Sequence, residues 1–164
     1  MTDADEWRAR VAAVWADAAS LGDDEVIARI DALAAGRGAD DAIALYEAGG
    51  ARDSAGREAE AEPLYLAALE AGLPEPERSQ AIIQLASTVR NLGRPEESLE
   101  LLRAEFAAKP DHPLADAATV FAALALHDLG RTTEALSATI AALAPHLPAY
   151  RRSVTAYAAA LLDG

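Results

Sequence analysis

Cysteine is absent from the sequence, and only one of its 164 residues, Lys109, is a lysine. Without cysteine there is neither a disulfide framework nor thiolate chemistry, so a reducing, cytoplasmic location is expected. Aromatic residues are also scarce, at 5%, although 52% of the residues are hydrophobic. Alanine supplies much of that apolar content. Because alanine is the best helix former, the composition favours an all-α chain.

Positive charge is scarce as well. The chain carries 14 Lys and Arg against 27 Asp and Glu, a net charge of −13. This acidic balance predicts no nucleic-acid and no membrane partner, because both need a basic surface. No segment reaches the ~20 apolar residues that span a bilayer. The first residues, MTDADEW, lack the basic and apolar regions of a signal peptide, which again favours the cytoplasm.

Three stretches of nine residues are nearly the same: DSAGREAEA (53–61), RNLGRPEES (90–98) and HDLGRTTEA (127–135). Their glycines, Gly56, Gly93 and Gly130, are each 37 residues apart. A constant period in this range indicates a repeat architecture. A glycine after an apolar helical run predicts a left-handed residue that ends the helix and reverses the chain. Each phrase is therefore predicted to be the elbow of a helical hairpin.

Small residues flank each elbow at fixed distances. They lie seven residues before the glycine (Gly49, Ala86, Ala123) and five residues after it (Ala61, Ser98, Ala135). We expect them where the two helices of a hairpin touch, because a larger side chain would push the helices apart. A proline follows each hairpin (Pro74, Pro110, Pro148) and is expected to end one hairpin and open the next.

The pattern predicts a single domain, 1–164, of about nine helices. Its parts are a degenerate N-terminal hairpin (3–36), three repeats (40–74, 75–110 and 112–148) and a C-terminal capping helix (149–162). Pro63 falls inside the expected second helix of the first repeat, where proline removes a hydrogen bond and clashes with the preceding turn. A short irregular turn over 57–61 is therefore expected before that helix.

The elbows (55–57, 92–94 and 129–131), their small neighbours and the closing prolines resemble the tetratricopeptide repeat family over about residues 40–148. Ala68 and Ala142 match a later alanine of the family's pattern, while Glu105 departs from it and the period exceeds the family's usual 34. The resemblance is to a divergent bacterial type. It implies a right-handed α–α superhelix whose concave groove binds a peptide or a partner helix, without catalysis and without a cofactor.

The register of the resemblance also implies which side chains face the groove. They are Tyr46, Asp53, Gln80, Gln84, Arg90, Asn91, Phe121, His127 and Asp128. The same side of the first helices also carries Glu47, Gly50, Ile83, Ser87, Val120 and Leu124. Our hypothesis is that Gln84, Arg90 and Asn91 contact an extended peptide or an acidic segment of a partner. The alternative is that these are ordinary polar residues on an empty or self-filled groove.

Other clusters of polar residues have simpler interpretations. The acidic runs fall at predicted helix starts, where carboxylates cap free N–H groups and favour the helix dipole. The three histidines (His112, His127, His146) belong to separate segments without the i, i+4 pairing of a metal site, so no metal is predicted. No nucleophile and base stand together in a recognisable pattern, and no enzymatic activity is predicted.

Trp7 and Trp15 are eight residues apart, which places them near one face of the first helix. They are expected to pack that helix onto its neighbours, and a homodimer through this face is the alternative. The sequence thus predicts a non-enzymatic module that binds a protein partner whose identity it does not give. Two alternatives remain open: a self-associating structural module, with the C-terminal AYRRSVTAYAAALL as a second candidate surface, and a helical protein that binds a small ligand.

Overall fold

The structure, a computed structural model, describes residues 2–163. Within them lie nine α-helices and no strand: α1 (Asp3–Asp17), α2 (Asp23–Ala34), α3 (Ala42–Ser54), α4 (Glu58–Glu70), α5 (Glu77–Asn91), α6 (Pro95–Phe106), α7 (Ala115–Asp128), α8 (Thr132–Leu143) and α9 (Arg151–Ala160). Short 3₁₀ turns follow α1 and α8. The prediction of an all-α chain of about nine helices is confirmed.

Side chains cap the starts of α1 and α3, but the predicted capping by acidic runs holds only in part, since α2, α4 and α6, whose first turns are acidic, have no side-chain cap. At the start of α1, the Thr2 hydroxyl accepts a hydrogen bond from the Asp5 amide at 3.2 Å, and the Asp5 carboxylate accepts one from the Thr2 amide at 2.9 Å. Asp41 caps α3 through the Ala44 amide at 3.0 Å. These side chains stabilise the helix starts because the first amides of a helix have no partner within it.

The three elbow glycines adopt the left-handed conformation that the sequence predicts, with φ of 69° at Gly56, 83° at Gly93 and 75° at Gly130. At each elbow the amide of the arginine after the glycine donates to a carbonyl five residues earlier. These bonds join Arg57 to Arg52 (2.9 Å), Arg94 to Val89 (3.0 Å) and Arg131 to Leu126 (2.8 Å). This arrangement is the Schellman cap, which satisfies carbonyls that the end of the helix leaves free.

The helix α4 differs from the expectation in two ways. It begins at Glu58 and runs through Pro63, so the irregular turn expected over 57–61 is wrong. Pro63 is the sixth residue of α4 and is exposed, so its missing N–H and its ring affect only the first turn. The helix also ends before Pro74, because Gly72, at φ 82°, forms a fourth cap of the Schellman type.

The last helix is shorter than the predicted 149–162. It begins at Arg151 because Tyr150 lies in the left-handed region, at φ 67°, and this conformation cannot continue a right-handed helix. It packs on α8, where the buried Ser137 hydroxyl donates to the Ala158 carbonyl at 2.7 Å.

The chain divides into two compact units, with the boundary between Thr88 and Val89 inside α5. In the N-terminal unit, α2 packs on both α1 and α3, and α3 packs on α4. Its core contains Trp7, Val11, Val14, Val26, Ile27, Ile30, Leu33, Ala44, Ala48 and Ala51. In the C-terminal unit, α7 packs on α6 and α8, around Leu99, Ala123, Ala125, Leu126 and Ala135. Ala123 and Ala135, the small residues on either side of one elbow, thus share a core as predicted.

Gly49 shows why a small residue is needed at this position. A Cβ placed there would lie 3.0 Å from both Cδ1 and Cε1 of Tyr65 on α4. A contact of 3.0 Å is tighter than most Cβ contacts, so the Tyr65 ring would have to shift by a few tenths of an ångström, and Tyr65 is fully buried. The absence of a side chain therefore lets α3 and α4 pack at the distance that the structure shows.

Candidate functional site

An open cleft of about 500 Å³ lies in the N-terminal unit, between α1, α3 and the first part of α5. Its walls are Trp15, Tyr46, Glu47, Gly50, Asp53, Ser54, Pro76, Glu77, Gln80 and Gln84. On α3 and α5 these residues recur at intervals of three and four, so each helix presents one face to the cleft. The predicted groove residues Tyr46, Asp53, Gln80 and Gln84 are all among them.

The wall from α1 is the indole of Trp15. Its Nε1–H donates to Oε2 of Glu47 at 2.7 Å. Burial raises the pKa of Glu47, an effect that the hydrogen bond from Trp15 partly opposes. Trp15 also lies close to Gly50, where an added Cβ would meet Cζ2 at 3.6 Å. The tryptophan therefore forms a wall of the cleft and orients the carboxylate beside it.

Asp53 is held by two hydroxyl groups. The Thr88 hydroxyl donates to Oδ1 at 2.9 Å, and the Tyr65 hydroxyl donates to Oδ2 at 3.3 Å. Burial raises the pKa of Asp53, and the two hydrogen bonds lower it by less than burial raises it. Because both donors are neutral, the charge of the carboxylate is not balanced by them.

The α5 wall carries two glutamines and a glutamate. Tyr46 donates from its hydroxyl to Oε1 of Gln80 at 3.1 Å, and burial, aided by the charge of Glu47, raises the pKa of Tyr46 to about 12. Gln84 has its Oε1 buried without a hydrogen-bond partner among residues 2–163. Glu77 pairs with Arg8 of α1. The cleft thus presents mainly acceptor atoms.

The other predicted groove residues belong to the C-terminal unit. Arg90 pairs with Asp128, Nε to Oδ2, at 2.7 Å, so its charge is already balanced within the unit. Asn91 and His127 are exposed and Phe121 is half-buried. A second cavity of about 460 Å³ in this unit has mostly apolar walls, including Leu102 and Phe106, and contains none of these predicted residues.

Both tryptophans are engaged inside the N-terminal unit. Trp7 is buried, its Nε1–H donates to the Leu33 carbonyl at 2.9 Å, and the Arg37 guanidinium lies 5.0 Å from the centre of the ring. Trp15 contributes the hydrogen bond to Glu47. These contacts are those expected if the tryptophans pack α1 onto its neighbours.

The described residues form neither a metal site nor a membrane span. Between residues 2 and 163, no group of three or more His, Asp or Glu side chains is arranged to hold a metal ion. His146 instead contacts Asp116, Nε2 to Oδ2, at 2.8 Å. None of the helices in this range is both long enough and apolar enough to cross a bilayer.

Glu47 and Gly50 lie on the side of α3 that the repeat register assigned to the groove, and the prediction missed four residues of the cleft: Trp15, Ser54, Pro76 and Glu77. Ser54 shares a helical face with Glu47 and Gly50, so its spacing on α3 could have identified it. Trp15 has a different signal in the sequence. It lies seven residues before Gly22, at the position that a small residue occupies before each later elbow glycine. Its contact with α3 depends on how α1 packs, which spacing does not reveal.

Helical hairpins joined by capped glycine elbows at a constant period define the class of helical-repeat proteins. Within that class, the sequence model of the family described as Tetratrico peptide repeat matches residues 42–161. The chain belongs to the tetratricopeptide repeat family, whose members are modules for protein–protein interaction. No curated protein and no solved structure matches the chain. The family match continues beyond residue 148, where the predicted resemblance ended, and covers α9.

Proposed function

We propose that this protein is a non-enzymatic, cytoplasmic interaction module that binds a segment of a partner protein in the cleft between α1, α3 and α5. The observation that carries the proposal is the cleft itself. Its volume of about 500 Å³ is within the ~300–1,000 Å³ typical of binding sites. Its walls combine aromatic rings with a few convergent polar groups, as in sites that fix the orientation of a ligand.

The family supplies the reason to propose a protein segment as the ligand. The helices α3 and α5 are the first helices of their hairpins, and the resemblance places a family groove on such helices. Tyr46, Asp53, Gln80 and Gln84 face the cleft from these two helices. The polar residues differ between the repeats while the elbows stay constant, which is the expected pattern when a scaffold carries a specific surface.

Site-specific photo-crosslinking tests this proposal. A photoreactive phenylalanine analogue replaces Gln80, which is exposed at the cleft, or Leu66, which is exposed on α4 and is not part of the cleft wall. After irradiation in the cells that express the protein, we expect one reproducible adduct from position 80 that peptide mapping assigns to a single partner segment. Equal adducts from both positions, or none from position 80, would refute the proposed site.

Self-association is the second candidate, and one observation favours it. Several large apolar side chains near the C-terminus are exposed: Leu143, Tyr150, Tyr157 and Leu162. The Trp7 and Trp15 face gives this alternative less support, since Trp7 is buried and both indole N–H groups are bonded within the unit. Sedimentation equilibrium of the wild type and of Tyr150→Ser/Tyr157→Ser distinguishes the candidates. A wild-type dimer that the double variant abolishes would favour self-association.

A further inference from the structure

We infer that the segment bound by the cleft is cationic, with lysine or arginine side chains of the partner placed against Glu47 and Asp53. The inference rests on the proposed function and adds the chemistry of the ligand. It commits to one occupant, an extended peptide segment with basic residues, on the basis of charge complementarity.

The walls of the cleft contain negative but no positive side chains. Three carboxylates line it, those of Glu47, Asp53 and Glu77, while no Lys or Arg is among the lining residues. Of the three, Glu77 pairs with Arg8. Glu47 and Asp53 accept hydrogen bonds only from neutral groups among the described residues, and neither is in a salt bridge there. The charge of Arg8 also lowers the pKa of Glu47, but by less than burial raises it, and Arg8 forms its ion pair with Glu77. Neither Glu47 nor Asp53 therefore has a cation in direct contact among the described residues.

These two charges are unfavourable in the free protein. Burial is the largest influence on both carboxyl groups and raises the pKa of each. A cation brought by a ligand would convert neutral hydrogen bonding into charge-assisted pairing, which is stronger. The buried charges of Glu47 and Asp53 thus destabilise the free protein. Binding of a basic segment would relieve this electrostatic penalty, and binding of an acidic segment would increase it.

Gln84 is an independent third feature. Its Oε1 is buried and has no hydrogen-bond partner among residues 2–163, although buried acceptors in proteins are nearly always paired. An ammonium group has three donors and a guanidinium has five, and neither has an acceptor. A basic side chain in the cleft therefore offers a donor to this buried acceptor.

The uncharged walls also fit such a side chain. Trp15, Tyr46 and Pro76 surround the carboxylates. Lysine and arginine carry long aliphatic stems that pack on apolar surface while the charged end reaches a polar group. Their charged ends are also attracted to aromatic rings. The combination of rings and carboxylates therefore recognises both parts of a basic side chain.

The spacing of the carboxylates favours an extended segment with two basic residues. Glu47 and Asp53 are six residues apart on α3, which is ~9 Å along a helix axis. At ~3.3 Å per residue, two side chains that are two residues apart lie on the same face of an extended chain, ~6.6 Å from each other, and the long stems of Lys and Arg can cover the rest of the distance. The acidic partner segment hypothesised for Gln84, Arg90 and Asn91 does not suit this cleft, whose carboxylates would repel it.

The test is selection from a random peptide display library with purified protein as bait. The cleft variant is Glu47→Gln/Asp53→Asn. Its matched control, Asp40→Asn/Glu70→Gln, changes the net charge equally at two exposed residues of the same unit outside the cleft wall. Circular dichroism establishes that both variants are folded. Because the whole chain is acidic, the control separates the cleft from general attraction of basic peptides.

We expect the wild type and the control to select peptides enriched in Lys and Arg. A selected peptide should bind each single variant, Glu47→Gln or Asp53→Asn, about tenfold or more weakly than the wild type, as is typical for the loss of a bond to a charged group. Equal affinity for wild type and cleft variant would overturn the inference, as would binding of spermidine alone without any peptide.

The failure of this inference is distinguishable from failure of the proposed function. If the selected peptides lack basic residues but crosslink to the analogue at position 80, the cleft binds peptides and only the inferred charge is wrong. If no peptide is selected and no adduct forms at position 80, the proposed function itself is refuted.

Discussion

Adjacent glycines in α3, Gly49 and Gly50, face different surroundings and give the sharpest test of the packing. A Cβ at Gly49 would lie 3.0 Å from two ring carbons of Tyr65 and 3.4 Å from Cβ of Leu64. A Cβ at Gly50 would lie at ordinary contact distance, 3.6 Å from the Trp15 ring and 3.9 Å from the Tyr65 hydroxyl. Replacing each by alanine therefore adds the same atom in two different environments.

The expected magnitudes follow from two effects. Alanine is more favourable than glycine inside a helix by ~1 kcal/mol, and this gain is the same at both positions. At position 49 it is opposed by overpacking, typically ~1–3 kcal/mol, because the Tyr65 ring is fully buried and anchored to Asp53. We expect Gly50→Ala to stabilise the protein by ~0.5–1 kcal/mol and Gly49→Ala to be destabilising, with a difference between them of ~1–3 kcal/mol.

Urea unfolding followed by circular dichroism measures both variants against the wild type. Because the helix propensity cancels in the difference between the two variants, that difference reports the packing of the added Cβ, which at position 49 is tightest against the Tyr65 ring. A second readout is the near-ultraviolet signal, in which Gly49→Ala should alter the tyrosine bands. If Gly49→Ala is as stable as Gly50→Ala, the close packing of α3 on α4 at this position is wrong.

Three further predictions concern other features of the chain. Replacing an elbow glycine by alanine should lower the free energy of unfolding in urea by ~1–2 kcal/mol, because the residue has a positive φ. The three losses should be similar, since no atom lies within 4 Å of an added Cβ at Gly56, Gly93 or Gly130. Widely different losses would contradict the common geometry of the elbows. Ser98→Ala should raise the free energy of unfolding by ~1 kcal/mol, since the buried Ser98 hydroxyl has no partner among residues 2–163 and the other repeats have alanine there; a loss of stability would show that the hydroxyl is bonded. For Asp53, the pKa is raised in the folded protein, so the folded state binds more protons between the unfolded and folded pKa values, and stability falls as the pH rises through that interval. Asp53→Asn should therefore be more stable than the wild type at pH 7 and lose this advantage toward pH 4 in urea titrations; an advantage that does not change with pH would contradict the burial of the charge.

The elbows were predictable from the sequence because their signals are local. Each elbow consists of residues within one hairpin: a left-handed glycine, the arginine after it and a small residue on either side. These features recur with a constant period of 37 residues, which makes them recognisable in the sequence. Pro63 was misjudged because the rule against proline inside helices weakens near a helix start, where few hydrogen bonds are lost. The local sequence does not predict the left-handed conformation of Tyr150, which makes α9 begin later than expected.

The cleft was predictable only in part, for a different reason. Helical spacing identified the shared face of Tyr46 and Asp53, since that information lies within one helix. The partners of these residues come from other helices. The bond from Trp15 to Glu47 joins residues 32 apart, and the pair of Arg90 with Asp128 joins residues 38 apart. Such contacts depend on how helices pack, so spacing alone could not show that Arg90 is already paired or that Trp15 bonds to Glu47.

The fluorescence of Trp15 tests the central claim, that this cleft binds a basic protein segment, most directly. In a Trp7→Phe background Trp15 is the only tryptophan, and it lies in the wall of the cleft beside Glu47. Titration with a library-selected peptide that contains two basic residues should change its emission in a saturable way. The apparent affinity obtained from this titration should be about tenfold lower for the Glu47→Gln variant and unchanged for the Glu70→Gln variant. A linear, non-saturating response, or equal affinity for both of these variants, would contradict the account.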